Sequence, residues 1–288
     1  MEWILAAIAV GVLAALLYWQ LIIAEGAYLG RRVVTLLYDW SAHVYDRIKH
    51  FDSRYEQYFL ARPITSALFS FPNPLVLDVA TGTARLPRAL FAEMGFRGQI
   101  VGLDLSRKML EQAVEKTAPW ADRITLIWDD ASRLPFPADT FEAVACLEAL
   151  EFMPDPDQVL AEMVRVLRPG GLLLTTNRIG KEARLMPGRT LSAEALEEKL
   201  QALTLEMVKI RVWQEDYDLV WALKPGICTP LGVRQVTALL RCPECGAKVT
   251  RESDHFRCNK GHVLPIAEDG IVELVRIRDA EAESVPVT

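Results

Sequence analysis

Four side chains near the C-terminal end have the types and spacing of a metal site. Cys242 and Cys245 enclose two residues, Cys258 and His262 enclose three, and twelve residues separate the pairs. Paired ligands of this kind fill a tetrahedral zinc shell, with Gly246 and Gly261 permitting the tight knuckles around them. All four positions are then taken by protein, so such a zinc is structural rather than catalytic. His255 lies outside the set, and Cys146 and Cys228 read as small buried apolar side chains.

A second constellation lies upstream. The apolar run Leu75 to Ala80, interrupted by Asp78, leads into a small-residue turn containing Gly82 and Ala84 and then into a helical stretch. Such a turn lets backbone approach a ligand closely, beside the free N–H groups of a helix N-terminus. A second apolar run ends at Asp104, where a carboxylate can accept both hydroxyls of a ribose. Asp129-Asp130-Ala131 follows the third run and offers a carboxylate and an amide to the far edge of an adenine. Open α/β sheets hold ligands at the carboxyl ends of successive strands, so the three together predict a nucleoside site.

The elements that must position these groups follow from periodicity. Strands are predicted near 75–80, 99–104, 124–128, 141–147 and 171–176, with helices near 85–94, 107–116 and 157–167 between them. This βαβ alternation predicts an α/β, Rossmann-like, mostly parallel sheet. A helix near 192–203 precedes the β-rich runs Met207 to Trp213 and Tyr217 to Leu223, which predict a closing antiparallel hairpin. Upstream, residues 31–70 carry helical spacing with a cap at Asp52-Ser53, a lid-like preface. The expected organisation is an anchor over 1–30, the preface over 31–70, the nucleoside-binding domain over 71–224, a linker over 225–240, the zinc ribbon over 241–278 and an acidic, disordered tail over 279–288.

Composition narrows the partners. A net charge of -6 argues against a chain that grips nucleic acid by phosphate neutralisation alone, and no DNA partner is expected. Five cysteines, three of them in the ribbon, fit a reducing compartment rather than a disulfide framework. From Trp3 to Ala24 no residue is charged, long enough to cross a hydrocarbon core of about 30 Å. A cleavable signal would carry a basic start, whereas this chain begins Met1-Glu2. Arg31-Arg32 follow the run, so a single-pass anchor with the rest of the chain on the cytoplasmic side is expected.

The segments Leu77 to Ala84, Val101 to Leu110, Asp130 to Val144 and Met163 to Leu172 together resemble the ordered motifs of class I S-adenosylmethionine-dependent methyltransferases, most of all the small-molecule and quinone C-methyltransferase groups. The resemblance spans roughly residues 45–180 and sets the chain apart from nicotinamide dehydrogenases, whose G-x-G-x-x-G it lacks. It implies that Asp78 lies near the methionine end of the cofactor and that Ala80, Gly82 and Thr83 contact it through backbone. It further implies that Asp104 takes the ribose, Leu105 packs on the adenine, Asp130 and Ala131 read its edge, and Leu147 lines the pocket. The family usually has glycine where Ala80 and Ala84 stand, and many relatives carry histidine in the region of Glu151. The C-terminal module resembles the zinc ribbon of ribosomal-RNA guanine methyltransferases.

Methyl transfer from a sulfonium is an in-line displacement with a neutral leaving group, so positioning and desolvation suffice for much of the rate. An acidic acceptor would need a group to take its proton, and Tyr45, Asp46 and Glu151 are the candidates; no catalytic residue is assigned. The anchor and the quinone-like core point to a lipid or quinone-like acceptor, and the ribbon points to RNA. A membrane-tethered scaffold that no longer catalyses is the third reading.

Overall fold

The computed structural model describes residues 2–275, so the acidic tail lies outside the described residues. Helix α1 (Glu2–Tyr18) continues as a π-turn over Trp19–Ile23. Together they form one apolar helix of 22 residues whose side chains are almost wholly exposed. It is long and apolar enough to cross a membrane by length and composition. Four short helices follow: α2 (Arg31–Ser41), α3 (Tyr45–Lys49), α4 (Ser53–Glu56) and α5 (Arg62–Ala67). The Asp52 carboxylate caps α4 by accepting from the Arg54 N–H, satisfying a donor that the first turn leaves unpaired.

The sheet that holds the site is built from β1 (Leu75–Val79), β2 (Gln99–Asp104), β3 (Ile124–Trp128), β4 (Phe141–Cys146) and β5 (Leu167–Arg178). Helices α6 (Arg85–Ala92), α7 (Arg107–Thr117) and α8 (Pro156–Val166) connect them. All five residues of β1 are buried, as a parallel strand covered on both faces requires. Ser106 caps α7 and Asp155 caps α8, where Pro156 supplies a preset first-turn φ. β5 begins earlier than its apolar pattern indicates, because the Leu-Arg-Pro-Gly-Gly segment already runs in the strand. Gly170 is positive in φ there, and a Cβ on it would meet the Cys228 nitrogen at 2.5 Å, so glycine lets the downstream linker cross against the strand.

Helices α9 (Gly180–Ala183) and α10 (Ala193–Ala202) lead into the antiparallel pair β6 (Glu206–Val212) and β7 (Tyr217–Leu223) at one sheet edge. After the short α11 (Val236–Leu239), β8 (Val249–Glu252), β9 (His255–Cys258) and β10 (Val263–Pro265) form a separate three-stranded antiparallel sheet. The segment expected to end this module bridges it to the main sheet. Val272 makes an antiparallel bridge to Ile266, and β11 (Val272–Glu273) pairs in parallel with β3, giving the main sheet the order β11-β3-β2-β1-β4-β5-β7-β6. Ile271 is fully buried against Ala84, Leu110, Ala113 and Leu126, which is the apolar reason this edge is covered.

Candidate functional site

β1 has β2 on one side and β4 on the other, so the crossovers leave it in opposite directions and open a crevice at its carboxyl end. The turn out of β1 is left-handed at Ala80 (φ 55°), Gly82 (φ 54°) and Ala84 (φ 62°). Glycine is the residue that adopts this conformation freely, which accounts for the family's preference at 80 and 84. The alanines hold it because the turn is tied on all sides. The Thr81 hydroxyl donates to Asp78 Oδ2 at 2.6 Å, and the Thr81 N–H donates to the Leu103 carbonyl at 3.0 Å.

Asp104 links the turn to the next helix. Its carboxylate accepts from the Gly82 N–H at 2.7 Å and from the Ser106 N–H at 2.8 Å. Burial pushes Asp104 up to about 6, although both backbone donors pull it down. Burial likewise pushes Asp78 up to about 7 against the Thr81 hydroxyl bond. Asp130 accepts from the Ser132 N–H at 2.7 Å and pairs with Arg31 at 2.5 Å. These donors hold its carboxyl below the usual range even though burial works the other way.

A cleft of about 430 Å³ opens in front of these groups. Of the residues expected at the site, Ala80, Gly82, Asp104, Leu105, Asp130, Ala131 and Leu147 line it. Asp78 and Thr83 do not. Asp78 sits behind the turn, and the Thr83 hydroxyl donates to Asp46 Oδ1 at 2.5 Å, toward the preface. The three proton-taking candidates separate. Tyr45 lines the cleft, Asp46 is paired with Arg88 and Lys116, and Glu151 is buried where it accepts from the Tyr217 hydroxyl.

Residues that the sequence reading did not single out complete the walls. Arg31, Val34, Thr35 and Tyr38 come from α2, and Glu148, Phe152 and Met153 from the loop after β4. Glu148 lies in left-handed backbone (φ 52°) and forms ion pairs with Arg85 at 2.5 Å and Lys49 at 3.4 Å. Arg85 also pairs with Glu56 at 2.7 Å. Burial opposes ionisation of Glu148, but Arg85 and Lys49 outweigh it and hold the carboxyl low. Burial pushes the Tyr45 phenol well up, so it stays protonated. Charged residues so far apart in sequence leave no local spacing signal that could have announced them.

The exit of the apolar helix docks beside this mouth. Ala24 and Ala27 pack with Phe152 and Met186, and Arg189 donates to the carbonyls of Ala27 (2.7 Å) and Met153 (2.6 Å). At the far end of the chain, the ligand atoms of Cys242, Cys245, Cys258 and His262 all lie within 4.8 Å of one another. The Cys242 and Cys258 sulfurs approach His262 Nδ1 at 3.4 and 3.5 Å, spacings that suit the edges of a tetrahedral metal shell. His262 Nε2 is held by Glu244 at 2.6 Å, while His255 faces Glu252 and Asp254 outside the cluster.

Residues 76–171 match the family model described as a methyltransferase domain. A demethylmenaquinone methyltransferase of Lysinibacillus sphaericus (strain C3-41) is 43% identical over 103 residues, which are 36% of this chain and 44% of that one. A demethylmenaquinone methyltransferase of Lactiplantibacillus plantarum is 34% identical over 140 residues, 48% of this chain and 59% of that one. The chain thus spans about half the length of the curated relatives it matches. Among solved structures, the cyclase SpnF superimposes with a TM-score of 0.54 at 20% identity, over 68% of this chain and 96% of that one. The CurJ carbon methyltransferase does so with a TM-score of 0.51 at 14% identity, over 58% and 53%. The two neighbours share a fold under differently named activities, so the likeness is one of fold alone. Sheet order, cleft position and the match over 76–171 agree: the sheet is Rossmann-like, and residues 76–171 are similar to a methyltransferase domain.

Proposed function

We propose that this chain is a membrane-tethered, S-adenosylmethionine-dependent methyltransferase acting on a quinone-like or lipid acceptor. The observation that carries the cofactor is the cradle at the end of β1 and β2. A Cβ built on Gly82 would meet nothing within 4 Å, so the turn leaves room for a ligand against its backbone, and the Asp104 carboxylate borders the same space. A nucleoside fits these groups, with its ribose diol on Asp104 and its adenine between Leu105 and Ala131. Asp130 would read the adenine edge beneath Arg31, and the turn at Ala80 and Gly82, tied from behind by Asp78 through Thr81, would meet the methionine end. When bound, S-adenosylmethionine supplies a methyl group on a sulfonium, open to in-line displacement.

The chain's own residues then exclude water and orient the acceptor. Tyr38, Tyr45, Phe152 and Met153 form a largely apolar wall suited to a flat, poorly hydrated ring. Tyr45 keeps its proton and Glu148 is occupied by two cations, so both serve to hold an acceptor oxygen in place rather than to remove its proton. The names of the curated relatives support a quinone-like acceptor, and the apolar helix docked at the cleft mouth supports delivery from a membrane. The Cys242, Cys245, Cys258 and His262 cluster, with Glu244 behind the histidine, supports a structural zinc.

The test is made with the full chain in lipid nanodiscs. Titration with S-adenosylmethionine is expected to show micromolar-range binding, and label from a tritiated methyl group is expected in a demethylated quinone. Label entering RNA instead would overturn the acceptor, and a folded chain that binds no cofactor would overturn the enzyme.

A further inference from the structure

We propose that α2 is an interfacial helix: its outward face rests on the anionic headgroup surface of a bilayer while its inward face closes the cleft. The two faces are chemically distinct. Arg31, Val34, Thr35 and Tyr38 line the cleft. On the other side, Arg32, Leu36 and Trp40 are exposed at four-residue spacing along α2, with exposed Leu29 before the helix and exposed His43 and Arg47 in the turn and α3 after it. Leu36 is 66% and Trp40 79% exposed, large apolar side chains left facing outward among the described residues.

The acids of the same segment all point inward. Glu25 accepts from the Tyr38 hydroxyl at 2.7 Å, Asp39 accepts from the Ser106 hydroxyl at 2.6 Å, and Asp46 is shared by Thr83, Arg88 and Lys116. The outward stripe is therefore apolar and basic with no acid in it. That combination suits a surface of anionic headgroups over hydrocarbon, with the indole of Trp40 at the boundary. Proximity comes from the connection: α2 starts eight residues after the apolar helix ends at Ile23. The proposal rests on the membrane-span reading for that proximity alone. It deepens the proposed function, because a lid seated on the bilayer opens the cleft toward an acceptor dissolved in it.

The test is photo-cross-linking of the full chain in vesicles of two parts phosphatidylcholine to one part phosphatidylglycerol, with p-benzoylphenylalanine replacing Leu36 or Trp40. Both positions are exposed, so neither replacement disturbs packing. Controls place the same group at Phe69 (84% exposed) and Met94 (99% exposed), which precede β1 and follow α6 and so lie at the opposite end of the strands. Phospholipid adducts are expected at 36 and 40 above both controls. Arg32→Glu with Arg47→Glu is expected to lower their yield about tenfold in the anionic vesicles and not in neutral ones. Adducts no more frequent than at the controls, or adducts joining two copies of this chain, would overturn the proposal. Alkaline extraction of the same samples reads the span separately. A chain released by alkali refutes the membrane span, while the cross-links still decide the face of α2.

Discussion

Replacing Asp104 by asparagine separates binding from folding. The isostere keeps the shape but has one acceptor oxygen for two backbone donors, Gly82 N–H and Ser106 N–H, and losing one of those bonds costs about 1–3 kcal/mol. Against this stands the charge that the substitution removes. Burial pushes Asp104 from 3.8 up to about 6, so the folded state holds its proton more tightly than the unfolded chain does. The associated stability is present at low pH and lost as pH rises through about 6. At pH 8 two pK units correspond to about 3 kcal/mol of destabilisation, reduced to about 1–2 kcal/mol because the carboxylate borders a cleft open to water. The two effects nearly cancel, and calorimetry should place the melting temperature of Asp104→Asn within about 5 °C of the parent at pH 8. Cofactor affinity should not survive. A ribose diol loses one hydrogen bond to a charged acceptor, worth about 1.5–3 kcal/mol, and the other is left with a neutral acceptor worth about 1 kcal/mol less, so Kd should rise about a hundredfold. An unchanged Kd would refute the ribose assignment. A melting temperature more than about 10 °C lower would show that the carboxylate serves mainly to tie the turn to α7.

Asp78, pushed up to about 7, lies behind the turn, and its charge would favour a cationic methionine end across it, so cofactor binding should weaken as pH falls below 7, by up to about tenfold per unit. Titrations at pH 8, 7 and 6 check this, and a flat profile counts against its role. The same raised value predicts that the cofactor-free chain gains stability as pH falls from 8 toward 5, read from urea midpoints. Glu142 accepts from the Leu75 N–H and pairs with Arg168 and Arg234, which bind the linker to the sheet. Glu142→Gln should therefore cost about 3–5 kcal/mol, seen as a lower urea midpoint at constant slope. Cys258→Ser should release one metal equivalent and speed hydrogen exchange at Ile271 and Val272, whose strand leads out of the ribbon; metal loss without faster exchange would show that β11 holds on its own.

The parts of this protein that were legible in the sequence are those governed by short-range pattern. β1, β2 and β3 are largely apolar runs with buried centres, and α7 and α8 carry caps at Ser106 and Asp155, so these elements fall close to where periodicity puts them. Gly82, Asp104 and Asp130 could be named because each sits where a strand ends, and in a parallel sheet those ends converge whatever the rest of the chain does. The clustering of Cys242, Cys245, Cys258 and His262 was legible because their pairs are local. Long-range arrangement was not. Thr83 and Glu151 are close in sequence to the lining yet face Asp46 and Tyr217, since a residue's direction depends on what packs behind it. The network of Lys49, Glu56, Arg85 and Glu148 joins three separate segments, and β11 adds to the edge of β3 while Val272 still bridges Ile266, because Ile271 finds an apolar seat there. Sequence alone thus determined which strands of the central sheet form, β11 apart, and which acids stand at their ends. Tertiary structure decided which side chains close the cleft and which edge is covered, because those outcomes depend on burial and charge pairing between segments that no local pattern connects.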